Sequence, residues 1–236
     1  MQTLPNLAEL AKLTLLGLSL AFTALSALAY ESVRDQEIAQ CLPGEMATWG
    51  DGQDRPAAAA SLVFVYVHTN APAWFTPSQV MSAVQAAAAA WSQCGVAGRV
   101  VQQAVDSPVK GDTGRDGTVL VQWGDLSSRG NFGLADLGKR TLALGPAAFQ
   151  LLKTRNPAYD ASQTLQMVIS HEMGHFFGLM AHSRRCVDVT SYYSNGQGEK
   201  CFVRDERLRR TVLEYRSVLP TACDIQRCMR ANSAAP

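Results

Sequence analysis

Between His171 and His182 the chain reads His171-Glu172-Met173-Gly174-His175-Phe176-Phe177-Gly178-Leu179-Met180-Ala181-His182, which fits the pattern H-E-x-x-H-x-x-G-x-x-H. Three of the four histidines in 236 residues fall inside this stretch. On a helix, His171 and His175 share one face, so both imidazoles can reach a single metal ion. Glu172 lies one step round the same helix, near the metal without having to bind it. Gly178 can adopt the left-handed conformation that ends a helix, turning the chain so that His182 supplies a third nitrogen. Three protein ligands on zinc leave a position for water, which separates a catalytic site from a closed structural one. The chemistry expected of such a site is hydrolysis: the metal brings the pKa of bound water toward neutrality and Glu172 accepts its proton.

The extended motif resembles the metzincin superfamily of zinc endopeptidases, named for a methionine turn beneath the metal. His182-Ser183, together with the order of elements given below, is most similar to the matrixin-type (matrix metalloproteinase-like) catalytic domain. The resemblance is specific over Leu165 to Ser183 and diffuse over the rest of Ser61 to Arg230. It implies zinc bound by His171, His175 and His182, with Glu172 as general base. It also implies an auxiliary role on the metal or the oxyanion for Tyr192, two residues past the Met-turn position, with Tyr193 as runner-up. The turn itself departs from the family, because Thr190-Ser191-Tyr192-Tyr193 places threonine where methionine is usual. The implied function is that of a secreted or periplasmic zinc-dependent endopeptidase, a monomer acting on protein or peptide substrates. An extended peptide would add as a strand to a sheet edge near Phe132 to Ala135. Its side chain beyond the cut would enter a pocket between the motif helix and Val187 to Tyr193. A different class, a secreted zinc-binding and catalytically inactive protease-like binding module, uses the same ligands.

The chain is long enough for one substantial domain. A formal charge of +1 and the absence of a Lys/Arg block give no case for nucleic acid. Leu13 to Ala29 is a nearly unbroken apolar run ending in Ala27-Leu28-Ala29, so residues 1–29 are expected to be a signal peptide cleaved before Tyr30. The alternative is a short uncleaved anchor, the one route to a membrane for this chain; either way the catalytic part faces outside the cytoplasm. Cys41, Cys94, Cys186, Cys201, Cys223 and Cys228 all follow the leader and make an even number, as expected of disulfides in an oxidising compartment. Cys186 and Cys201 bracket the loop after the third histidine and are expected to pair. Cys223 and Cys228 point to different faces of a helix, so each bonds elsewhere. No C-x-x-C pair supports a second zinc site. The family's inhibitory propeptide motif is absent around Cys41, where a disulfide is expected instead.

Residues 30–60 read as an irregular N-terminal segment or linker, and 61–236 as the catalytic domain. Ser61 to His68, Arg99 to Ala104 and Thr118 to Trp123 carry strand composition, and Phe132 to Ala135 and Thr141 to Leu144 are short extended candidates. Thr76-Pro77-Ser78-Gln79 has the cap, first-turn proline and capping-box glutamine of a helix running to about Gln93. Asp160 can cap the helix that carries the motif. Arg204 to Ser217 and Thr221 to Ala231 read as terminal helices. By resemblance this is an α+β, zincin-like fold, in which a twisted mixed β-sheet lies on two long helices with a C-terminal helical part. His68 ends a strand and is expected to be structural. The loop Gly111 to Gly117 has two carboxylates that could hold calcium, but it lacks the ligand density of a recognised calcium loop.

Overall fold

The computed structural model describes residues 33–103, 117–209 and 214–233. The leader and residues 111–116 of the calcium candidate lie outside them. The described chain is α+β, built on a five-stranded mixed sheet in the order β2-β1-β3-β5-β4. Its strands are β1 (Ser61–Val67), β2 (Ala97–Gln103), β3 (Thr118–Trp123), β4 (Gly133–Asp136) and β5 (Thr141–Leu144). Only β4 runs antiparallel, against β5, and it forms one edge of the sheet. In β1 and β3 every second residue is buried, which is the two-residue period of a pleated strand packing one face on a core.

Residues 33–39 form helix α1. The two longest helices, α2 (Pro77–Trp91) and α5 (Ala161–Phe176), pack on each other and on the sheet. Their starts obey the capping rules read from sequence. The Thr76 side chain accepts from Gln79 N while the Gln79 side chain bonds back to Thr76 N, and Asp160 accepts from Ser162 N. Along α2 the buried residues Val80, Ala83, Val84, Ala87, Ala88 and Trp91 make one face at helical spacing. Short α3 (Asp125–Ser128) and α4 (Pro146–Arg155) connect the sheet to α5. Helix α4 opens with proline in its first turn after Gly145, a start that the sequence reading passed over.

At the C-terminal end, α7 (Ala222–Ser233) forms as expected. Over 204–217, however, the described helix is confined to α6 (Glu206–Arg209). Around Tyr215 the backbone groups serve tertiary partners instead of an i→i+4 ladder. Arg34 donates to the carbonyls of Tyr215 and Arg216, and Ser217 N donates to the carbonyl of Val187 at 2.7 Å. Three disulfides, Cys41–Cys223, Cys94–Cys228 and Cys186–Cys201, account for all six cysteines. Cys94 follows α2, so its bond fastens that helix to α7. This usage fits an oxidising compartment. No helix among the described residues is long and apolar enough to cross a membrane.

Candidate metal centre

His171 and His175 stand one turn apart on α5, and His182 follows on the loop beyond it. Gly178 makes that geometry possible. Its φ of 105° is left-handed, and a Cβ there would lie 2.1 Å from the carbonyl oxygen of Arg55, so only glycine can turn the chain at this point. The three rings lie with centroids 5.4, 5.1 and 5.1 Å apart, and one nitrogen of each falls within 4.8 Å of the others.

The outward nitrogens fix which atoms converge. Nδ1 of His171 donates to the carbonyl of Val189 at 2.8 Å, and Nδ1 of His175 to that of Leu179 at 2.7 Å. Nδ1 of His182 meets Asp51 Oδ2 at 2.7 Å. Carbonyls only accept, so these rings carry their proton on Nδ1 and turn a bare Nε2 lone pair inward. His182 Nε2 is buried and has no hydrogen-bond partner, a polar atom that burial penalises unless something binds it. Burial first, and the neighbouring rings second, hold the His171 pKa well below its usual value and lower that of His175 to about 4. Burial also lowers that of His182, against the pull of Asp51. Three neutral, pre-oriented imidazoles suit a borderline-soft divalent ion such as zinc.

Glu172 lies half-buried in the wall beside them. Desolvation pushes its pKa up to about 7, against the lowering effect of the Ala135 N–H, which donates to Oε2 at 2.9 Å. This contact needs β4 to run unusually close to α5. A Cβ on Gly133 would meet Val168 Cγ1 at 2.5 Å and Glu172 Cγ at 2.8 Å. Tyr192 stacks on His182 with centroids 3.8 Å apart; burial, then the charges of Asp51 and Glu172, push its hydroxyl pKa up to about 12. The phenol is therefore a neutral donor. Tyr193 is more exposed and lies outside the cavity wall. A cavity of about 800 Å³ runs from the histidines and Glu172 past Tyr192 toward Leu152, Tyr159 and Arg216.

No family model and no curated protein matches the chain. Among solved structures it is similar to the "GM1 bound form of the ECX AB5 holotoxin", at 13% identity and a TM-score of 0.46. That match covers 82% of this chain and 92% of the other. A similarity this slight decides neither fold nor activity.

Thr190, which the resemblance sets against the metzincin methionine, is buried. Its methyl closes against Gly174 of α5, and its hydroxyl donates to Asp224 Oδ1 at 2.6 Å. Asp224 also accepts from Val189 N, so one carboxylate of α7 fixes the residue whose carbonyl orients His171. His68 stands apart from the trio, bonded through Nδ1 to the Tyr66 hydroxyl. A second cluster, Cys41, Glu45 and Cys223, cannot serve as a thiolate site because both sulfurs are joined in a disulfide. The sequence reading missed Asp51 and Asp54, since nothing in a polar stretch read as irregular announces a contact to residue 182 across the chain.

Proposed function

We propose that the chain is a zinc-dependent endopeptidase of the metzincin type, matrixin-like in its catalytic domain, acting on protein or peptide outside the cytoplasm. One observation carries the reading: three neutral imidazoles turn Nε2 atoms toward a common point beside the half-buried carboxylate of Glu172. A zinc ion held by His171, His175 and His182 supplies Lewis acidity and lowers the pKa of water. Glu172 takes a proton from the attacking water through Oε1, the oxygen that Ala135 leaves free, and passes it to the departing amine. Its pKa of about 7 suits a group that both gains and gives up a proton near neutrality. Tyr192, held neutral, can donate its hydroxyl to the oxyanion that develops on the carbonyl.

Substrate would pair with the open edge of β4, where main-chain hydrogen bonds bind an extended peptide with little regard to its sequence. The side chain beyond the cut would enter the cavity between α5, α4 and Tyr192. The test is cleavage of a peptide library by the purified protein, with and without a chelator and with Glu172→Ala alongside. Cleavage that needs both metal and Glu172 supports the enzyme. Bound zinc with no cleavage anywhere in the library favours the inactive binding module.

A further inference from the structure

Residues 47–57 cross the loop that delivers the third ligand and hold it at the backbone donors of Met180, Ala181 and His182. Asp54 Oδ1 accepts from Met180 N at 2.9 Å and Ala181 N at 3.0 Å, and Asp51 Oδ1 accepts from His182 N at 2.9 Å. Two carboxylates three residues apart thus satisfy three consecutive N–H groups. The second oxygen of Asp51 accepts a hydrogen bond from Nδ1–H of the His182 ring. The strap is anchored in turn. Arg227 of α7 pairs with Asp54 at 2.8 Å and also donates to the carbonyl of Ala181, while Trp49 N donates to that of His182.

We propose that Asp51 is a positioning residue for the metal centre, fixing both the backbone and the ring tautomer of His182 so that Nε2 faces the ion. The inference rests on the reading of His171, His175 and His182 as a zinc site. His171 and His175 need no such help, because both sit on one rigid helix and use main-chain carbonyls. His182 lies beyond the helix end, where neither the backbone path nor the ring orientation is set locally. Only a carboxylate serves here, since Asp51 accepts twice, from a backbone N–H and from a ring N–H. Asparagine has the same size, yet one of its two contacts would bring donor against donor. If its amide nitrogen faces Nδ1, it favours the wrong tautomer; if it faces the backbone, it releases the loop. Carboxylate partners of metal-bound histidines typically contribute ten- to hundred-fold in metal affinity, so roughly that loss is expected of Asp51→Asn.

The experiment measures zinc Kd by competition with a chromogenic chelator for wild type, Asp51→Asn and Asp51→Ala, with the visible spectrum of each cobalt-substituted protein. Both variants are expected to bind zinc roughly ten- to hundred-fold more weakly and to show an altered cobalt spectrum. Wild-type affinity and an unchanged spectrum in a folded Asp51→Asn protein would overturn the proposal. If neither variant folds, nitrogen-15 NMR of the zinc-loaded wild type decides. A hydrogen-bonded, slowly exchanging Nδ1 proton on His182 supports Asp51, and a freely exchanging one overturns it. Failure of the wild type itself to bind zinc would instead remove the metal-site reading on which this one stands.

Discussion

The backbone N–H of Ala135, on the edge strand of the sheet, donates to Oε2 of Glu172 at 2.9 Å. One main-chain group therefore holds the carboxylate on the strand that a peptide would join, and engages only one of its two oxygens. Position and pKa of the proposed base follow from the same burial.

Glu172→Ala is expected to keep zinc at one ion per chain while peptidase turnover falls by about 10²–10⁴, the usual contribution of a positioned acid–base group. Metal analysis and library cleavage on the same preparation check this. Turnover within a few-fold of wild type would take the proton-transfer role away from Glu172.

His182→Ala removes one of the three proposed ligands. Zinc should be lost on dialysis against a weak chelator that leaves the wild type loaded. Full retention would place the third ligand elsewhere.

The metal-free fold should respond to acid through its histidines. The His175 pKa lies at about 4 in the fold, lowered first by burial and then by the charge on His182, against about 6.5 in an unfolded chain. Between those values the unfolded chain binds more protons. The contribution is therefore present in full above about pH 6.5 and is lost as pH falls through about 4. Melting curves of the chelated protein should fall more steeply over that range for wild type than for His175→Gln, which has no proton to gain. Parallel pH profiles would contradict the assignment.

Thr190→Val deletes the hydroxyl that donates to Asp224 and leaves a buried carboxylate oxygen short of a partner. The expected loss of stability is about 1–3 kcal/mol, read by denaturant unfolding. Thr190→Met, the residue that the metzincin resemblance would place there, should also destabilise, because the side chain is 1% exposed and its methyl already closes on Gly174. A methionine variant as stable as wild type would show slack that the packing does not suggest.

The parts legible in the sequence are those set by local rules. Thr76 and Gln79 announce α2, Asp160 announces α5, β-branched and aromatic composition marks β1 and β3, and Gly178 marks the turn toward His182. The cysteine reading also held, Cys186 pairing with Cys201 while Cys223 and Cys228 find separate, distant partners. Long-range satisfaction of polar groups was not legible. Asp51 and Asp54 lie in a stretch with no periodicity, and their acceptors meet donors more than a hundred residues away. Tyr215 sits in a stretch of helical composition whose backbone is drawn off by Arg34 and Val187, a tertiary override that no local pattern records.

The strap over residue 182 bears on when the site can form during synthesis. One of its anchors, Arg227, belongs to the last helix, which the Cys41–Cys223 disulfide ties back to the segment just before the strap. A ribosome-bound chain that has emerged only as far as the histidine motif already has Asp51 and Asp54, but lacks both Arg227, which anchors Asp54, and Val189, whose carbonyl orients His171. Full bracing of the three imidazoles thus waits on residues made after the motif, out to Arg227.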